Sequence, residues 1–144
     1  MVGFKVISTI NEIELKKYPI SSQTVLVGDL LEVLVGATTW TVCTSSSNFF
    51  SRKVIAYEAA TSSGTEFLGY EVKGDEDVEV QVAATANSAH NGDRMLLTDK
   101  NTVNNTGTDN TSQNVCFIQD RPGSTTTSVI GKVVVGNGVD PDAT

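Results

Sequence analysis

Short apolar runs broken by polar turns cover this chain, and none of them sustains a helical stripe with caps. Val78-Glu79-Val80-Gln81-Val82 is the cleanest run. It sets Val on one face and Glu and Gln on the other, the mark of a strand with one buried side. Residues 67–72 form a second run, and the Lys73-Gly74-Asp75-Glu76-Asp77 between them has hairpin length. Residues 24–35 read as another hairpin, turning at Gly28-Asp29. Residues 40–44, 95–97, 115–118 and 129–135 add short strands, and 54–60 read as a strand or a short helix, with strand favoured. Asp120-Arg121-Pro122-Gly123 has turn chemistry, and residues 99–113 are polar enough to predict a long surface loop. Roughly eight to ten short strands at this spacing predict an all-β barrel or sandwich.

One pattern occurs twice. Val25-Leu26-Val27-Gly28-Asp29-Leu30-Leu31 and Asn91-Gly92-Asp93-Arg94-Met95-Leu96-Leu97 each set a Gly-Asp turn directly before an apolar run. This predicts a single β-domain built from two related halves, over residues 18–136. Residues 1–17 precede it as an N-terminal arm. Its apolar positions Phe4, Val6, Ile7, Ile10, Ile13 and Leu15 fit neither a strand nor a helix period. The arm is either a strand followed by a turn or a segment that orders on a partner. Phe49-Phe50, after the polar Ser45-Ser46-Ser47-Asn48, are a second pair of contact candidates unless they fold back onto a core. Pro19 marks a strand start or an edge. Residues 137–144 form a flexible, acidic tail.

Composition narrows the function. Apolar residues make up 39% of the 144 and charged residues 19%, with the remainder weighted to Ser, Thr, Asn and Gly. The net charge of −7 and the absence of a basic stripe argue against nucleic acid, since Lys16-Lys17 and Arg52-Lys53 read as solvated pairs. The sequence shows no signal peptide and no run long enough for a transmembrane helix. Cys43 and Cys116 read as buried thiols of a reducing compartment, with a bond between them left open.

Candidate chemistry is sparse. His90 is the only histidine and lies in a polar turn, with neither a GxSxG nor a papain-like cysteine context. One His and two scattered Cys do not make a zinc site. Asp75-Glu76-Asp77 lacks the EF-hand pattern and reads as a charged hairpin tip. No phosphate loop opens a helix. These readings predict no catalytic residue, no cofactor and no metal. Exposed aromatics at Trp40, Phe49, Phe50 and Tyr70 would suit a carbohydrate-binding module, but at 6% aromatic content the core needs most of them.

The order of features resembles the small β-rich decoration, or cement, proteins of tailed bacteriophage capsids. The residues that carry the likeness are Tyr18-Pro19-Ile20-Ser21-Ser22-Gln23-Thr24-Val25-Leu26-Val27-Gly28-Asp29-Leu30-Leu31, the Val-rich run 72–82, and Gly92-Asp93 with the Thr/Asn stretch and closing strand that follow. The likeness spans residues 18–135. It implies a compact β-barrel or β-sandwich (β-tulip-like) domain and a non-enzymatic virion protein. That protein is a homotrimer made in the host cytoplasm and placed on the capsid outer surface. There it bridges major capsid protein subunits, with no nucleic acid or membrane as partner. It further implies that the arm meets the capsid, with Phe4, Val6, Ile7, Ile10, Ile13, Leu15, Phe49 and Phe50 as contact residues, although the arm lacks the Gly/Pro/Ser/Thr-rich character common in the family. The trimeric dUTPases are a weaker likeness, through Gly28-Asp29-Leu30 alone; the sequence after Gly136 lacks the aromatic of their C-terminal arm. A tail-fibre receptor- or carbohydrate-binding β module is the alternative role.

Overall fold

The computed structural model describes residues 2–9, 12–106 and 110–139. These form an all-β domain. Its strands are β1 (Phe4–Ser8), β2 (Lys16–Pro19), β3 (Leu30–Val33), β4 (Thr41–Val42), β5 (Arg52–Ala56), β6 (Glu66–Glu71), β7 (Asp77–Val82), β8 (Arg94–Met95), β9 (Leu97–Asp99), β10 (Thr102–Val103), β11 (Phe117–Pro122) and β12 (Ser128–Val133). One 3-10 turn, Ser88–His90, is the only helical element among the described residues.

The strands make two sheets. The larger runs β8-β11-β12-β7-β10-β9, with β1 also paired to β7. Its two end strands, β8 and β9, are consecutive pieces of one bent run, so the sheet nearly closes into a barrel. The smaller sheet is the antiparallel series β2-β6-β5-β3-β4. It curls until its edges meet, where the Trp40 N–H donates to Pro19 O at 2.8 Å. Pro19 thus ends an edge strand, as its missing donor requires.

Each sheet explains a hydrophobic pattern. Val78, Val80 and Val82 face inward with Phe117, Val129, Val133, Met95 and Leu97. The smaller sheet is covered on both faces. Leu30, Ile55 and Tyr70 join the main core, while Leu31, Val54, Phe67 and Tyr18 pack under Trp40, Ile20 and Val25. Continuous pairs such as Leu30-Leu31 and Val54-Ile55 follow from that double burial. Each fully buried side chain of this size contributes about 2 kcal/mol.

The two Gly-Asp units are equivalent in space. Gly28 N–H donates to Ala56 O at 2.9 Å, and Ala56 N–H donates back to Asp29 O at 2.9 Å. Gly92 N–H donates to Gln119 O at 2.7 Å, and Gln119 N–H donates back to Asp93 O at 3.2 Å. Both glycines have positive φ, +91° and +88°, which a side chain would strain. The likeness extends through the strands that follow. Gly69 lies between Lys16 and Ala56 in β2-β6-β5, and Gly131 lies between Val78 and Gln119 in β7-β12-β11. The order β2-β6-β5-β3 of one half is therefore repeated as β7-β12-β11-β8 in the other.

Several local expectations are corrected. Lys73–Asp77 does not close a hairpin; β6 and β7 belong to different sheets, and the segment crosses between them. Residues 25–27 do not pair with β3, because Leu26 O accepts from Asp29 N–H in a tight turn and Val25 bridges to Ala60. The polar stretch from 99 contains β10 and the buried Asn105, whose side chain binds the main chain of Ala84. The expected turn at 120–123 is strand, bulged between Gln119 and Arg121, and β11 continues to Pro122. The start of the tail is tied down, since Gly138 N–H donates to Phe50 O and Gly138 O accepts from Val35 N–H. The rest of it lies outside the described residues.

Candidate functional site

The N-terminal segment builds an apolar groove on the surface. β1 lies along the first part of β7, with Phe4 opposite Val80 and Lys5 opposite Glu79. On its other side Phe4 N–H donates to Gly28 O at 2.8 Å. Gly3 crosses Gly28 so closely that a Cβ on Gly3 would meet Gly28 O at 2.6 Å. This crossing ties the arm to the first Gly-Asp turn and leaves a groove of about 430 Å³ beside it. Val2, Ile13 and Val27 form its rim, with Ala56 and Tyr57 within; among the described residues Lys5 is the one charged residue that lines it. Val2 is 69% exposed and Val27 60%, a high exposure for apolar side chains on one patch.

The contact candidates divide. Ile7, Ile13 and Leu15 are exposed. Phe4 and Val6 are buried in the core, Phe4 meeting Phe117 edge-on at 6.5 Å, so neither is free for an outside partner. Ile10 lies outside the described residues. Phe50 is buried, and the half-buried Phe49 packs on it at 5.5 Å. Trp40 and Tyr70 are also interior, so Trp40, Phe49, Phe50 and Tyr70 do not make an exposed aromatic platform. Leu26 and Val27, which join the exposed set, were hidden from sequence reasoning because an inward-facing hairpin strand has the same composition.

Polar groups inside the fold are engaged in holding it. Lys53, expected at the surface, is fully buried and donates to Asn48 O at 2.6 Å and Ser51 Oγ at 2.9 Å. Its neighbour Arg52 is exposed and makes a two-bond fork with Glu71 at 2.7 and 2.8 Å. Asp29 is buried, accepts from Leu26 N–H at 2.9 Å and pairs with Lys100 at 3.0 Å. His90 Nδ1 meets Asp93 Oδ2 at 2.8 Å within the second Gly-Asp turn. Both cysteines are free and buried; burial pushes Cys43 well up and Cys116 up to about 11, which leaves neither as a ready thiolate. No group of three or more His, Cys, Asp or Glu side chains is placed to hold a metal among the described residues.

Three carboxylates are held below their ordinary values. The Lys132 hydrogen bond, chiefly, holds Asp77 below its ordinary value. Burial pushes Glu79 up, but bonds from Ser124 N–H and Oγ and from Ser128 Oγ outweigh it and leave the carboxyl low. Glu79, expected to face solvent, is thus covered by the 123–128 segment. Glu76 is likewise pushed up by burial and brought below its usual value by Tyr70 and the N–H groups of Lys73 and Gly74. Far from forming a charged tip, it is fully buried. Groups whose values are lower folded than unfolded stabilise the fold above the ordinary carboxylate range, and that stability is lost as pH falls through the folded values. The urea midpoint should therefore hold from about pH 7 to about pH 5 and drop steeply below about pH 4. Glu79→Gln should flatten the drop. A wild-type midpoint that does not fall in acid contradicts the assignment.

Against known proteins, the chain matches no family profile, no curated protein and no solved structure. The fold and its surface are the ground for a functional reading.

Proposed function

We propose that this chain is a non-enzymatic structural protein that decorates a tailed-phage capsid, as a trimer, by bridging major capsid protein subunits. The observation that carries this reading is the exposed apolar rim of Val2, Ile13 and Val27 beside β1. An apolar groove with one charge suits burial against another protein surface. Lys53, Glu76 and Glu79 are bound to main-chain groups and to Ser and Tyr hydroxyls in structural roles, which favours a gripping role over catalysis. The sequence likeness to capsid decoration proteins supplies the kind of partner. Repeated weak contacts on a shell act together through multivalency. The carbohydrate-binding alternative loses its main support with Trp40 and Tyr70 in the interior.

Removing residues 1–15 is a poor test, because it takes β1 from β7 and Phe4 and Val6 from the core. Point changes on the rim are cleaner. Wild type should co-sediment with shells assembled from the major capsid protein encoded in the same genome. Val27→Asp with Ile13→Asp should lower bound protein at least about tenfold, since each change sets a charge into an apolar contact, while far-UV circular dichroism stays unchanged. Equal binding by the double variant removes the groove from the contact, and no binding by wild type removes the reading.

A further inference from the structure

The duplicated architecture shows an edge that is covered in one half and bare in the other. In the second half, β1 lies against the outer edge of β7 from Asp77 to Val80, and its Lys5 stands opposite Glu79. The counterpart of β7 is β2. Gly131 pairs with Val78, and Gly69 pairs with Lys16, so Lys16, Lys17 and Tyr18 occupy the places of Val78, Glu79 and Val80. Near its end the outer edge of β2 is used, where Pro19 O accepts from Trp40 N–H. Backbone direction alternates along a strand, so Lys17 N–H and C=O point to that same outer side. They have no main-chain partner among the described residues. Among the described residues nothing takes the role on β2 that β1 takes on β7.

The sequence along this edge says what fits it. Glu12-Ile13-Glu14-Leu15-Lys16-Lys17 is exposed throughout, and Ile13 and Leu15 are 43% and 39% exposed. Its charge order is self-complementary: acid in the first half, base in the second. Two copies laid antiparallel about Leu15 bring Glu14 of each opposite Lys16 of the other. The same register sets Ile13 against the stem of the other copy's Lys17, and Leu15 against Leu15. Only Lys16–Pro19 of this edge is strand in the single chain; residues 12–15 continued in extended form would carry Leu15 into the outward-facing set of Lys17 and Pro19, which agrees with this register. Within one chain, Lys16 reaches Glu14 only at 3.9 Å with both side chains largely exposed, so neither is committed.

We propose that the Glu12–Lys17 edge pairs with the same edge of a second copy about a two-fold axis at Leu15. The contact extends each smaller sheet by a strand across the axis, as peptide ligands extend open sheets. It is independent of any capsid, and on a shell it would join neighbouring trimers.

The test uses the full chain in solution. Leu15→Cys places two thiols across the axis at a Cα separation of about 5.5 Å, within disulfide reach. Under mild air oxidation, with free thiols alkylated before denaturation, this variant should run as a covalent dimer on a non-reducing gel. Ser63→Cys, on an exposed turn elsewhere, should remain single under the same conditions. In sedimentation, Glu14→Lys should move self-association to about tenfold higher concentration, since it turns two attractive cross-strand pairs repulsive. Glu14→Lys with Lys16→Glu should restore it. Cross-linking of Leu15→Cys no faster than Ser63→Cys overturns the pairing, and would leave Lys16, Lys17 and Pro19 as guards that keep an edge from joining. Cross-linking that ignores the charge reversal overturns the register.

Discussion

Gly131→Ala should lower the stability of this domain by about 3 kcal/mol, the upper part of the range for overpacking a closed core. A Cβ at that position would lie 2.0 Å from Ile118 O and 2.9 Å from Phe117 Cζ. The first of these is backbone, so the β11-β12 pair must spread to admit a methyl group. Gly131 also pairs with Val78 on its other side, so the spread reaches the middle of the larger sheet. The equivalent Gly69 is less exacting. Its Cβ would meet Val54 Cγ1 at 2.4 Å, a side-chain atom that can turn, and Ile55 O only at 3.0 Å. Gly69→Ala should therefore cost about half as much. Thermal unfolding followed by circular dichroism checks both, with Gly131→Ala expected roughly 10 °C below wild type. A loss under about 1 kcal/mol would mean that the strands are not packed as closely as described.

Glu76→Ala should have a similar effect for a different reason. The Tyr70 hydroxyl and the Lys73 and Gly74 N–H groups all donate to this carboxylate where the chain crosses between sheets. Without it three donors lose their acceptor, the Tyr70 hydroxyl in the interior and two N–H groups in a part-buried place, at about 1 kcal/mol each. Tyr70, pushed up to about 12 by burial and by its bond to Glu76, should titrate at lower pH in the variant. Urea unfolding should show the midpoint falling by the equivalent of about 3 kcal/mol, and Glu76→Gln should fall less because one acceptor oxygen remains. Equal, small effects from both variants would contradict the bonding described.

The strands were legible where burial is one-sided. Val78 to Val82 alternates because one face of β7 meets the core and the other does not. The Gly-Asp repeat was legible because a positive-φ glycine before a strand leaves few residue choices. The deeper repeat was less visible. Phe67-Leu68-Gly69 and Val129-Ile130-Gly131 hold matching places, yet their flanking residues differ with each half's own packing. Burial of Lys53 and Glu76 left no trace in the sequence, since their partners are main-chain groups, the Ser51 hydroxyl and a tyrosine several residues away. A charged residue between two strands looks the same whether it points out or in. The arm was left between two readings for a related reason, and the strand reading is the one the structure shows. Phe4 and Val6 alternate correctly, but the pattern ends within a few residues and is too short to separate a core strand from a free segment.

The groove took shape only in three dimensions, because Val2, Ile13 and Val27 come from separate segments, with those of Val2 and Val27 brought together at the Gly3–Gly28 crossing.

The central claim is that this protein works by gripping a capsid through the rim beside β1. Electron cryomicroscopy of shells built from the major capsid protein of the same genome, with this chain added in excess, tests it most directly. The account predicts ordered density for the domain on the outer surface, seated over the joints between capsid subunits with Val2, Ile13 and Val27 facing the shell. Bare shells, or domains seated with that rim turned to solvent, would contradict it.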